Sequence, residues 1–288
     1  MQALKIFQSL WAMEQRIPGR AEHSHSTWFK MIADAGYDGV CIDPAVSEIA
    51  ELRGLKALYV ENDLECMMNA FPFTIDDMQP LYEFANELNA SLVNIIGGVM
   101  PINPKDAVPV IQRWTAEADQ AGLPMLFETH RDSLLNDLYY TLQIIDLVPD
   151  IKLCADLSHF VVDREMRDPI TSIDQRYIDR ILERSGCFQG RVANREQVQI
   201  QIEFPQHQNW VSIFRGWWKQ GMRQWRERHA DDATLIFLCE LGPPPYAITG
   251  MDQRELSDRW QEALLIRTWV EEIWQELEQE GDSQLSGE

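Results

Sequence analysis

The chain has 288 residues, 45% of them hydrophobic, with a formal net charge of -21; that length suits one full α/β barrel or two small domains. So acidic a chain argues against a nucleic-acid partner and against docking on anionic membranes, because both demand basic surfaces. Its five cysteines, Cys41, Cys66, Cys154, Cys187 and Cys239, contain no C-x-x-C pair and are odd in number, which excludes a zinc ribbon and a disulfide framework. With neither a signal-peptide core nor an apolar run of membrane length, the expected compartment is the cytoplasm.

Apolar β-type runs alternate with helical patterns along the chain. The predicted strands are 4–10, 39–42, 55–60, 92–96, 124–127, 151–155, 188–193 and 234–239. Most are short and apolar throughout, as strands buried on both faces of a parallel sheet must be. Between them, Thr74-Ile75-Asp76-Asp77 reads as a capping box opening a helix through Leu88. Residues 107–121 have helical spacing closed by Gly122, and Ser133 is the expected cap of a helix running to Val148. Two long amphipathic helices are expected over 210–228 and 257–279; Trp217, Trp218, Trp225, Trp260, Trp269 and Trp274 fall largely on their apolar stripes, which suits helices packed on a barrel. Strand then helix, eight times over, predicts a single-domain (β/α)8 TIM barrel over residues 1–279, followed by an acidic, flexible tail at 280–288. The rival open, doubly wound sheet would carry a glycine-rich turn after its first strand, where this chain has Trp11-Ala12-Met13-Glu14.

Barrel enzymes keep their catalytic groups at the C-terminal ends of the strands. Three of the last four predicted strands deliver a carboxylate there: Glu128, Asp156 and Glu240. Converging carboxylates repel one another and lose solvation, so a divalent cation is the expected neutraliser. Strand alternation puts Glu128 and His130 on one face, and a tight turn in Asp156-x-x-His159 returns both side chains to one place. Arg191, inside the predicted seventh strand, needs a partner, either a structural ion pair or a substrate oxygen. Any single carboxylate of this kind has an alternative role as a helix N-cap. His23 and His25 read as solvated loop histidines, and His207 and His229 as peripheral.

Four motifs in order carry a resemblance: Phe127-Glu128-Thr129-His130-Arg131-Asp132; Asp156-Leu157-Ser158-His159-Phe160 with Glu165 after it; Gly190-Arg191-Val192 with Gln197-Val198 downstream; and Glu240-Leu241-Gly242-Pro243-Pro244-Pro245-Tyr246. Over roughly residues 36–263 the chain resembles the xylose isomerase-like barrels, the sugar phosphate isomerase/epimerase group. The resemblance implies one divalent ion held by two glutamates, an aspartate and a histidine, with the glutamates also exchanging protons with the sugar. Carried over, Glu128 and Glu240 are the catalytic pair; Glu128, Asp156 and Glu240 are metal ligands; and His159 and Arg191 bind substrate oxygens, with His130, on the Glu128 face of its strand, a further substrate-binding candidate. The histidine expected two residues before the arginine is Gln189 here. A glutamine carbonyl ligates a hard cation but replaces imidazole poorly toward zinc. An oxygen-only site favouring Mn2+ or Mg2+ over Zn2+ or Co2+, a weakened site, and a site without catalysis are therefore all open. The further acidic residue that the family's epimerases often carry six positions after the first glutamate is Leu134 here.

The resulting expectation is a metal-dependent sugar isomerase or epimerase that transfers a proton through an enediolate, with a sugar or sugar derivative as its partner and homo-oligomerisation open. The alternatives are a catalytically decayed sugar-binding barrel and an apurinic-site endonuclease, the latter disfavoured by six histidines and the acidic charge.

Overall fold

Eight parallel strands follow one another round a closed barrel in chain order: β1 (Ala3–Ser9), β2 (Gly39–Ile42), β3 (Glu65–Ala70), β4 (Leu92–Ile95), β5 (Met125–Glu128), β6 (Leu153–Ala155), β7 (Ser185–Gly190) and β8 (Thr234–Cys239). The last strand closes on the first, with Phe7 beside Leu238. The structure, a computed structural model, describes residues 1–16 and 18–285. The ring is sheathed by α1 (His25–Asp34), α2 (Ile49–Leu52), α3 (Leu55–Glu61), α4 (Met78–Glu87), α5 (Pro104–Ala121), α6 (Leu138–Leu147), α7 (Leu157–Asp163), α8 (Ser172–Leu182), α9 (Gln208–Arg228) and α10 (Arg259–Leu285). The protein is a (β/α)8 TIM barrel. No helix among the described residues is long and apolar enough to cross a membrane.

The predicted third strand is corrected. Residues 55–60 form most of α3, whose Leu55 and Tyr59, four apart, face inward. A six-residue apolar run carries no period of its own, so strand and helix compete on equal terms there. The real β3 lies just beyond, in Glu-Cys-Met-Met-Asn-Ala, a composition with no β-branched residue. Strand seven is also shifted: it ends at Gly190, so Arg191 follows the strand instead of lying inside it. Ser133 does not cap α6. Asp137 does, accepting from Tyr140 N, while Ser133 Oγ donates to His130 O. The segment from 280 enters the structure as the end of α10, where Glu280 meets Lys219 and Arg223 of α9; residues 286–288 lie outside the described residues.

The tryptophan stripes do pack on the barrel. Trp217, Trp218, Trp225 and Trp274 are buried, and Trp218 stands edge-on to Phe237 of β8 at 5.4 Å. Helix α9 approaches closely at Gly221, where an added Cβ would collide with the Phe188 ring of β7.

Inside the barrel, side chains stack in layers, because alternate residues of each strand point inward. One layer is an apolar plug drawn from all eight strands, including Phe7, Cys41, Met67, Leu126, Cys187 and Leu238. All five cysteines are free and buried. Two residues further along, every strand carries its next inward position, and there the chemistry changes. Ser9, Asp43, Asn69, Asn94, Glu128, Asp156, Gln189 and Glu240 follow the plug residues of β1 to β8 in turn. The site is this second layer, resting on the plug.

Candidate functional site

The second layer is a belt of carboxylates joined by amides. Asn94 Nδ2 donates to Asn69 Oδ1 at 2.9 Å and, over a very short contact, to Glu128 Oε2. Asn69 Nδ2 in turn donates to Asp43 Oδ1 at 2.8 Å and to Glu240 Oε1 at 3.1 Å. From the other side, Gln189 Nε2 donates to Glu128 Oε2 at 2.6 Å. The asparagine amides have one workable orientation, since turning either would set a carbonyl oxygen against a carboxylate.

Glu128, Asp156 and Glu240, predicted to converge, each present an oxygen within 4.8 Å of the others. All three are buried. Asp156 also N-caps α7: its Oδ1 accepts from Ser158 N at 2.9 Å, while Oδ2 faces the site. One oxygen of Asp156 thus caps a helix, and the other faces the converging carboxylates.

Arg191 is the buried countercharge. Its Nη2 donates to Glu240 Oε2 at 2.7 Å, and its Nε lies 3.1 Å from Glu240 O and 3.5 Å from Asp156 Oδ2. The guanidinium is flanked by the rings of Tyr246 at 4.8 Å and Trp11 at 5.9 Å. Burial works against its charge, but Asp156 and Glu240 more than offset this and hold its pKa above the ordinary value.

His130 and His159 sit together, their ring centres 3.9 Å apart. One nitrogen from each lies within 4.8 Å of an oxygen of Glu128, a second grouping that could hold a metal ion. Arg131 Nη1 lies 3.2 Å from His159 Nδ1. Because a guanidinium only donates, that nitrogen is the acceptor and the proton sits on Nε2, 3.5 Å from Asp156 Oδ2. Burial, with Arg191 beside it, pushes the His130 pKa down to about 3. His159 is driven well below its ordinary value by burial and by His130. Both rings are therefore neutral near pH 7.

The carboxylates shift the other way. Burial and the charges of Glu240 and Asp156 raise Glu128 well above the usual range. Burial raises Glu240 to about 7 despite Arg191. Asp43 is raised by burial and by Glu240.

Three acceptor oxygens of the predicted ligand set, Glu128 Oε1, Asp156 Oδ2 and Gln189 Oε1, are buried without a hydrogen-bond partner among the described residues. Orphaned acceptors cost free energy. Oxygen atoms gathered in this way, beside raised carboxylate pKa values, fit a hard divalent cation.

The layer opens into a cavity of about 340 Å³ whose wall includes Trp11, Phe71, His130, Arg191 and Tyr246. Sequence reasoning missed Asn69, because the strand that carries it was placed elsewhere. Asp43, directly after a short apolar strand, and Asn94, within one, carry no distinguishing local signal. The signal that finds all three is the two-residue step from plug to site.

No family model matches the chain, and comparison with curated proteins finds no match. Solved structures do match in fold. An L-ribulose 3-epimerase aligns over 96% of this chain and 97% of its own, with a TM-score of 0.63 at 13% identity. A D-allulose 3-epimerase from Methylomonas sp., in complex with D-allulose, aligns over 94% and 97%, with a TM-score of 0.59 at 14% identity. A xylose isomerase-like TIM barrel protein from Mycobacterium smegmatis, in complex with magnesium, aligns over 93% and 97%, with a TM-score of 0.56 at 13% identity. The chain has the fold of the xylose isomerase-like TIM barrels, a group of structural neighbours that includes sugar epimerases.

Proposed function

We propose that this protein is a divalent-metal-dependent sugar isomerase or epimerase. The observation that carries the reading is the convergence of Glu128, Asp156 and Glu240 within 4.8 Å, on the same barrel layer as Gln189. These four residues would hold the cation. An all-oxygen donor set favours Mn2+ or Mg2+ over Zn2+ or Co2+. When bound, the cation supplies positive charge to stabilise a substrate oxygen that becomes negative as the enediolate forms.

The chain's own residues do the rest. Glu128 and Glu240 approach the layer from β5 and β8, three strands apart in the ring, and would serve as the proton-transfer pair on the two faces of the reacting carbon. Arg191 Nη1, buried without a hydrogen-bond partner among the described residues, would donate to a substrate oxygen. His159, with its proton on Nε2, and neutral His130 would hold neighbouring hydroxyls. The plug beneath and the aromatic wall beside the layer keep bulk water from the proton being moved.

The test is exchange of a sugar C–H proton in D2O, followed by NMR over a panel of aldoses and ketoses with Mn2+ present. Exchange that disappears on chelation and in both Glu128→Gln and Glu240→Gln is the expected result. Tight Mn2+ binding with no exchange in any sugar would reduce the protein to a binding barrel.

A further inference from the structure

We propose that Asp43 makes the barrel mouth selective for uncharged polyols and excludes phosphate esters and other polyanions, a proposal that rests on the sugar reading of the same site. Asp43 occupies the inward position after β2, in the layer of the proton-transfer pair, yet neither cation binding nor proton transfer requires it. Its place is fixed. Asn69 Nδ2 holds Asp43 Oδ1 at 2.8 Å and spends its other proton on Glu240, while Asn69 Oδ1 accepts from Asn94 at 2.9 Å. The Asn69 bond holds the Asp43 carboxylate in the layer.

The balance of charge at the mouth follows. The cavity wall carries Asp43, Glu48, Glu128 and Glu240 with Arg191 as its lining cation; Arg131 stands behind the wall, over the Tyr246 ring at 5.5 Å and beside His159. The Arg191 guanidinium is already committed to Glu240, with Asp156 close by. A divalent cation would be offset by Glu128, Asp156 and Glu240 themselves. Asp43 and Glu48 remain in excess. A phosphate dianion entering the cavity sets its oxygens against the Asp43 and Glu48 carboxylates, and that repulsion weakens binding. A hydroxyl meets no such cost, because it can donate to Asp43. Apolar Trp11, Phe71 and Tyr246 complete a wall suited to the C–H face of an uncharged polyol.

The experiment is calorimetric titration of the full-length, Mn2+-loaded protein with D-fructose, D-fructose 6-phosphate and inorganic sulfate. Expected is free ketose binding at least about tenfold tighter than its phosphate ester, with no binding of sulfate. Asp43→Asn keeps an acceptor for Asn69 and should narrow the gap by about tenfold. Glu48→Gln, on the exposed rim, should act in the same direction by less, and serves if Asp43→Asn fails to fold. Wild-type protein that binds the ester as tightly as the free ketose overturns the proposal, as does a gap unchanged in both variants. If neither sugar binds and sulfate enters only after Asp43→Asn, the sugar reading fails while the exclusion of anions stands.

Discussion

Gln189 Nε2 donates to Glu128 Oε2 at 2.6 Å, joining β7 to β5 across the strand between them. With its amide turned that way, Gln189 leaves Oε1 buried and without a hydrogen-bond partner among the described residues. The glutamine thus fixes one oxygen of Glu128 and keeps a carbonyl oxygen of its own turned into the layer.

Gln189→His should therefore change which metal binds. Imidazole is the softer ligand, so Zn2+ affinity should rise more than Mn2+ affinity. Titrating both proteins with both ions checks this. Unchanged affinities for both ions would remove residue 189 from the ligand set.

Arg191 pairs with buried Glu240 and lies close to buried Asp156. Arg191→Leu leaves those carboxylates uncompensated and should cost about 3–5 kcal/mol of unfolding free energy in metal-free protein. Saturating Mn2+ should restore part of that loss, because the ion replaces the missing charge. Urea denaturation with and without the ion measures both effects; a variant as stable as wild type would mean that Arg191 balances nothing.

Glu262 on α10 is buried and accepts from Ile202 N at 2.9 Å. Burial raises its pKa from 4.5 to about 7, outweighing that hydrogen bond. The sign follows from linkage. Below the ordinary value the group is protonated both folded and unfolded, and no penalty exists. Between 4.5 and about 7 the unfolded chain loses the proton first, so stability falls as pH rises. Glu262→Gln keeps the acceptor and removes the penalty. The variant should gain on wild type through that window, by roughly 1–3 kcal/mol above it. Paired thermal melts across pH 4–8 read the difference, and a pH-independent gap would contradict it.

Gly39 opens β2 against β1 and β3. A Cβ there would lie 2.5 Å from Glu65 O and closer still to the Phe7 ring. The backbone oxygen cannot move without breaking the β2–β3 register, so Gly39→Ala should destabilise the barrel by about 2–3 kcal/mol. Gly54→Ala, where nothing lies within 4 Å, is the matched control. Equal melting temperatures for the two would show that the strand yields.

How much was legible in the sequence depended on what each residue's role needs from its neighbours. The alternation of buried strands and amphipathic helices is local, and it determined the barrel and the tryptophan faces. The carboxylates after β5, β6 and β8 were legible because a charge following an apolar run stands out in a single stretch of chain. Residues 55–60 were not, because a short apolar run fits α3 as well as a strand, and the choice is settled only by which segment completes the ring between β2 and β4. With β3 misplaced, Asn69 was invisible. Nor could any local pattern show that Asn69 and Asn94 tie Asp43, Glu240 and Glu128 into one belt, or that Arg191 bonds to Glu240 at 2.7 Å. Those contacts join residues far apart in the chain, brought together only when eight inward-facing positions close into one layer.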